Sequence, residues 1–528
     1  MLRRAMLLLL LTLGVLSQPA LATTYYISPT GNNNNNGLST GAPWLTFAHA
    51  FANMANGGCG HTLNLMNGVY GDGTSTGKIS LTSRACTQGN ELVIQALNER
   101  QARIHDNGTS WPILITGTAT APSAYITLDG LVVNSTNNPN ATGTAGMPLY
   151  MLFSKNIRVL NMLAYNPNKF LNRALMLVYR SQDVLVEMFE GYDFHRHCVT
   201  AFESERVTMR LSYCNNRTGT ISGGYNSGNG LGLADAMMAM YPCKDCILES
   251  SIGEGSNNGM RLNEMNATFG GGVLMSGSKL LGNVCRNCRY GNAMYLNSRN
   301  NPGLNYTPQN ITIENNAIVD ASPAISAGIR CSDCVRVLIN KNTLLNSHTS
   351  GFGSDDRPDI GATPDQHNIR FTNNIVKGIS GRGFSVSDSP GVWSGSNNFS
   401  NGNWTAYSPS LPSNWSTPTA SVMTDPGLGT CKVWTPDGSA AKAAGAGANV
   451  LYQYFLGVET TTPLWNPQTG EFPHGALVAG VNDVPGQSVF DVHKRLNVNT
   501  NGCSFPSNYG NGVSGGAAPV PPVGLRIS

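Results

Sequence analysis

The chain has 528 residues, with 33 Lys and Arg against 30 Asp and Glu, for a formal net charge of +3. Only 12% of residues are charged and 41% are hydrophobic, so a large core can be buried and no global field selects nucleic acid as a partner. The low charge also excludes a disordered acidic or basic tail protein, and the length admits either several ordinary domains or one long repeat domain.

The first element, residues 1–22, reads as an export signal. Arg3 and Arg4 precede an apolar run from Met6 to Leu16, and Ala20-Leu21-Ala22 supplies the small-x-small site that signal peptidase cuts. The run is shorter than the roughly 20 residues of a membrane span. The mature chain is therefore expected outside the cytoplasm, extracellular or periplasmic, without a transmembrane segment and as a monomer.

Residues 23–78 read as an N-terminal cap and first coil. A short strand, Tyr25-Tyr26-Ile27, leads through Ser28-Pro29-Thr30-Gly31 into an Asn-rich turn and then Pro43-Trp44-Leu45-Thr46. Thr46 is placed to cap a short helix whose inward stripe is Phe47, Ala50 and Phe51.

Residues 79–390 repeat one phrase, an alternating apolar strand usually followed by Asn. It appears as Tyr125-Ile-Thr-Leu, Asn156-Ile-Arg-Val-Leu-Asn, Asp183-Val-Leu-Val-Glu, Arg206-Val-Thr-Met-Arg-Leu, Asn310-Ile-Thr-Ile-Glu-Asn-Asn, Val335-Arg-Val-Leu-Ile-Asn and Asn368-Ile-Arg-Phe-Thr-Asn-Asn. From Ile126 to Ile157 is 31 residues, from Ile157 to Val184 is 27 and from Val184 to Val207 is 23. Short strands at this period, with no extended amphipathic helix between them, predict an all-β fold: a single-stranded right-handed parallel β-helix. Coils stacked about 4.8 Å apart bring like positions into columns. Asn216, Asn316, Asn342 and Asn374 are the expected turn residues, their amides tolerating left-handed backbone and bonding along the stack.

The opening phrase from Tyr25 to Ala50 resembles that of secreted right-handed β-helix proteins of the pectate-lyase-like superfamily, family 9 polysaccharide lyases among them. Asp425-Pro-Gly-Leu428 and the phrase from Pro436 to Gly445 resemble the closing segment of such domains, so the likeness runs from about Tyr25 to Gly447. It implies the β-helix with an N-terminal capping helix. It also implies polysaccharide as the partner. Those lyases pair a Lys base with a calcium site of clustered Asp. The central coils show no such cluster, Asp235 and Asp245 standing alone, so calcium is admitted as a cofactor but not required.

The 12 cysteines suit an exported, disulfide-bonded chain. Three CxxC pairs, Cys243/Cys246, Cys285/Cys288 and Cys331/Cys334, are expected as structural disulfides in preference to zinc ligands, with Cys59/Cys86 and Cys431/Cys503 as further candidate pairs.

The candidate site comes from phasing the coils. Phe202 to Val207 and Tyr179 to Val184 are both five-residue steps, which puts Cys198, Thr200 and Phe202 inside and Asp193, His195 and His197 outside. Met260, Leu262, Met294, Leu296 and Ile329 then face inward, and Arg261, Tyr295 and Arg330 outward. An outward row of His197, Arg261, Tyr295 and Arg330 suits β-elimination of a uronic-acid polymer. An arginine neutralises the carboxylate so that the developing enediolate is stabilised, while His or Tyr takes the α-proton. Asp193-x-His195 within Gly191-Tyr-Asp-Phe-His is similar to a motif of mannuronan C5-epimerases, and Asp355, Asp356 and Asp359 offer carboxylates to a hydrolase. The favoured expectation is a lyase of acidic glycans, the alternative a non-catalytic extracellular glycan-binding or adhesion protein. Residues 391–528, in which the repeat fails amid scattered tryptophans, read as an irregular C-terminal cap or accessory region.

Overall fold

The computed structural model describes residues 22–482, apart from 72, 137–145, 166–173, 195, 217–235, 256–257, 265–274, 287–291, 299–307, 320–326, 333, 346–349, 356–367, 379–381, 387–392, 401–402, 407–439 and 467–470. The leader from Met1 to Leu21, Cys288, Cys431, Cys503, Asp235, Asp356, Asp359 and the phrase Asp425 to Leu428 lie outside the described residues.

Each coil contributes three short strands, one to each of three parallel sheets. One coil consists of Met176–Tyr179, Gln182–Glu187 and Glu190–Tyr192. In the next coil His197–Arg210 runs unbroken through the first corner, and Tyr213–Asn215 follows. Tyr179 pairs with Phe202, Val184 with Val207, and Tyr192 with Asn215. The first sheet continues through Ala236–Lys244, Asn258–Glu264, Asn292–Ser298 and Ala327–Ser332. This is the parallel β-helix read from the repeats. The repeat markers Ile126, Ile157, Val184 and Val207 are register partners in the second sheet, and each is at most 1% exposed.

The start of the stack is closed as expected. Phe47–Asn53 forms a helix, Thr46 Oγ1 accepts the His49 amide at 3.1 Å, and Phe47, Ala50 and Phe51 are buried. Tyr25 and Trp44 stack at 5.1 Å over the first coil.

The corner between the second and third sheets carries a ladder of buried asparagines. Asn316 and Asn342 each take the main-chain N–H of the preceding rung on their side-chain oxygen, and Asn374 and Asn398 continue the series. Each amide nitrogen donates to a carbonyl on the preceding coil, as Asn342 does to Ile313 O at 3.0 Å. The left-handed position is the residue before each: Asn315, Lys341, Asn373 and Asn397, with φ from 55° to 58° except 53° at Lys341. The expectation for the ladder asparagines is corrected there, because one residue cannot both turn the chain outward and send its amide inward. Asn216 is not in this ladder; it follows the third-sheet strand Tyr213–Asn215.

Disulfides join Cys59 to Cys86, Cys243 to Cys246 and Cys331 to Cys334. A further bridge, Cys198 to Cys214, crosses the core and was not anticipated. It explains Gly191, since a Cβ there would lie 2.0 Å from Cys198 Sγ.

The segment 440–482 does not cap the end. It runs back along the outside of the third sheet as a strap, with an antiparallel hairpin of Tyr452–Phe455 and Val458–Pro463. The Ala448 amide donates to Thr343, the Asn449 amide to Asn315, the Tyr454 amide to Ser250 and the Gly475 amide to Glu190. Its Val450, Leu464, Trp465 and Phe472 cover an apolar column that includes Leu163, Tyr192, Tyr213 and Ile252.

Candidate functional site

With the third sheet covered by the strap, the predicted row falls on strands of the first sheet. Arg261 pairs with Tyr295 and Tyr295 with Arg330, on three consecutive coils. Met260 and Met294, which precede Arg261 and Tyr295, are buried, as are Leu296 and Ile329, and Arg330 is half-buried. Upstream, Thr200 and Ala239 occupy the same row. Met260, Met294, Leu296 and Ile329 thus face inward as expected.

One coil earlier the phasing slips by one residue. Val199 and Ala201 join the core and pair with the buried Met176 and Val178, so Thr200 and Phe202 take the outer side. The register Tyr179 to Phe202 was right and the face was wrong. A narrow interior accepts Val and Ala, while the two aromatic rings meet edge to face outside at 5.1 Å. Cys198 is buried as expected, adjacent to buried Val199, so strict alternation breaks where the disulfide enters.

The expectation that His197 lines an exposed face is also corrected, for it is 2% exposed. Its Nδ1 lies 2.7 Å from Thr200 Oγ1 and its Nε2 3.1 Å from the Tyr241 hydroxyl, so both ring nitrogens are engaged. A base must reach its substrate's proton, and this buried, doubly bonded imidazole does not fit that role. Asp193 follows the third-sheet strand Glu190–Tyr192, with φ 53° and its amide donating to Asn215 O at 3.0 Å, so it forms a corner. His195 lies outside the described residues. Asp355 pairs with Ser332 at the end of a first-sheet strand.

Between the first and second sheets the structure adds a group that sequence reasoning missed. Phe153, Arg180 and Glu203 stand at equivalent corners of successive coils, with φ of 48°, 47° and 46°. Arg180 Nε donates to Glu203 Oε2 at 2.6 Å, and its guanidinium lies 4.9 Å from the Tyr179 ring centre and 5.8 Å from that of Phe153. The bond to Glu203 holds the Arg180 pKa above its ordinary value, so it is a fixed cation. Burial raises the phenols of Tyr150 and Tyr179, which makes both rings hydrogen-bond donors rather than bases. The signal was in the phasing itself: Arg180 follows Tyr179 and Glu203 follows Phe202, opposite charges at matched coil positions.

Among the described residues no group of three or more His, Cys, Asp or Glu is placed to hold a metal ion. None of their helices is long and apolar enough to cross a membrane.

The registers define a parallel β-helix, and upstream of Arg261 its first-sheet row is buried at Thr200 and Ala239. No family model and no curated protein matches the chain. Among solved structures it is similar to the complex of XylC with xylose, at 9% identity and a TM-score of 0.46, over 73% of this chain and 84% of that one. It is also similar to pectate lyase Pel9A, at 15% identity and a TM-score of 0.35, over 89% of this chain and 97% of that one. PfbA, a surface adhesin of Streptococcus pneumoniae, aligns at 12% identity and a TM-score of 0.39, over 64% of this chain and 87% of that one. The likeness is one of architecture.

Proposed function

We propose that this is an exported polysaccharide-active protein whose first face cleaves an acidic glycan by β-elimination. The observation that carries the reading is the register Arg261, Tyr295, Arg330 on consecutive coils. With rungs about 4.8 Å apart, two arginines flank one tyrosine along a line that suits a linear polymer. The guanidinium groups would neutralise the uronate carboxylate, which acidifies the α-proton and stabilises the enediolate. Tyr295, one rung from each arginine, is assigned as the base in place of the buried His197. The proton passes to the phenolate, the C4–O bond breaks, a C4–C5 double bond forms, and the departing oxygen takes a proton. The leader motif, the disulfides and the glycan-type architecture support export.

The test is incubation with alginate, pectate and glycosaminoglycans, with calcium and with chelator, following the absorbance of unsaturated uronate ends. New absorbance lost in Arg330→Ala and Tyr295→Phe supports the reading. Binding without new absorbance in either medium would leave the chain as a glycan-binding or adhesion protein.

A further inference from the structure

The corner group opens on a cleft of about 470 Å³ between the first and second sheets. Phe153 and Pro122 supply apolar lining, and Lys155, Arg180, Glu203 and Glu205 supply polar lining. Two cations stand against two carboxylates, so the cleft carries no net formal charge.

Glu203 is 4% exposed; while its Oε2 holds Arg180, its Oε1 is buried and has no hydrogen-bond partner among the described residues. An unmet buried acceptor is costly, and a hydroxyl donor is the group that satisfies it without adding charge. Arg180 keeps a third of its side chain exposed beside this carboxylate, so donor and acceptor stand together as vicinal hydroxyls require.

We infer that this cleft binds a neutral pyranose unit, with sugar hydroxyls on Glu203, Arg180 and Lys155 and a C–H face against Phe153 and Pro122. A uronate would bring its own charge next to Glu203 and Glu205. The inference rests on the reading of the protein as one that handles glycans, and assigns a second site, off the arginine row, for a neutral flanking or branching sugar.

Saturation-transfer NMR on the full chain tests it with methyl pyranosides of glucose, galactose and mannose and with methyl galacturonoside. Ala119 sits on an exposed turn at the mouth, so Ala119→Trp fills the cleft without touching the ion pair. The expected result is transfer to at least one neutral glycoside, weakened by about tenfold or more in Ala119→Trp and in Glu203→Gln, with no competition from the uronoside. No transfer to any neutral glycoside, or undiminished transfer in folded Ala119→Trp, overturns the inference whether or not Glu203→Gln folds. Neutral-glycoside binding without uronate elimination would leave this cleft standing and remove the lyase reading, and elimination without such binding would remove the cleft alone.

Discussion

His197 shows how a residue's environment decides between chemistry and support. Its ring bridges two buried hydroxyls, of Thr200 and Tyr241, on neighbouring coils. Replacing it with Ala removes both of these buried bonds and is expected to cost about 2–3 kcal/mol in a denaturant titration. The pH dependence of any glycan cleavage should keep its midpoint in that variant; a lost or displaced acid limb would restore His197 as a proton carrier. Glu249 carries a second prediction. Burial raises its carboxyl pKa, against the opposing effect of the Gly457 amide, Arg210 and the Leu456 amide. The folded state therefore holds this proton more tightly than the unfolded chain, so this group's contribution to stability is fully present below the ordinary carboxylate range and is lost as pH rises through the raised value. Asp129, raised chiefly by burial, adds in the same direction. Unfolding followed from pH about 4 to 7 should show a smaller decline in Glu249→Gln than in the parent.

At the scale of the element, the asparagine ladder does what apolar packing cannot. A narrow stacked core fixes which side chains point inward but leaves the corner amides needing partners, and Asn342 meets four such bonds at 3.0 Å or, to Asn374, also 3.0 Å. Asn342→Ala removes all of them and strands the Asn316 amide and the Ile313 carbonyl, for an expected loss of about 3 kcal/mol. Lys341→Gly, one residue earlier at φ 53°, should be neutral or mildly stabilising, because glycine adopts that backbone freely. Equal losses at both positions in thermal unfolding would mean that the turn, not the ladder, carries the corner. This element also marks what sequence could convey. The strand-Asn phrase gave the period and even the register of Ile126, Ile157, Val184 and Val207, because hydrophobic alternation is local. Which of two adjacent residues enters the core is not local when both are apolar or small. Cys198, Val199 and Phe202 competed for it, and the outcome was set by a disulfide partner 16 residues away. The Arg180–Glu203 pair, by contrast, was within reach of the register already read, since each follows a residue of the Tyr179–Phe202 step.

For the whole molecule the strap decides which surfaces remain for a ligand. Three parallel sheets would offer three outer faces, and the apolar column of the third would be a long exposed stripe of the kind that drives association. Trp465, 1% exposed, lies in the cluster that covers it together with Leu464 and Phe472. Beside the bonds to Thr343, Asn315 and Ser250, buried carboxylates accept strap amides: Glu249 from Leu456 and Gly457, and Glu190 from Gly475 and Asn482, with Arg100 paired to Glu190 beneath. Trp465→Ala is therefore expected to cost about 3–5 kcal/mol at the strap. Because a stacked-coil body is held by nearest-neighbour contacts, that loss should appear locally. Limited proteolysis should cut between residues 440 and 482 while the coils stay protected, and the uncovered column should bind a hydrophobic dye. Simultaneous loss of protection across strap and coils would show instead that the strap is part of one cooperative unit with the stack, and that the third face cannot fold uncovered.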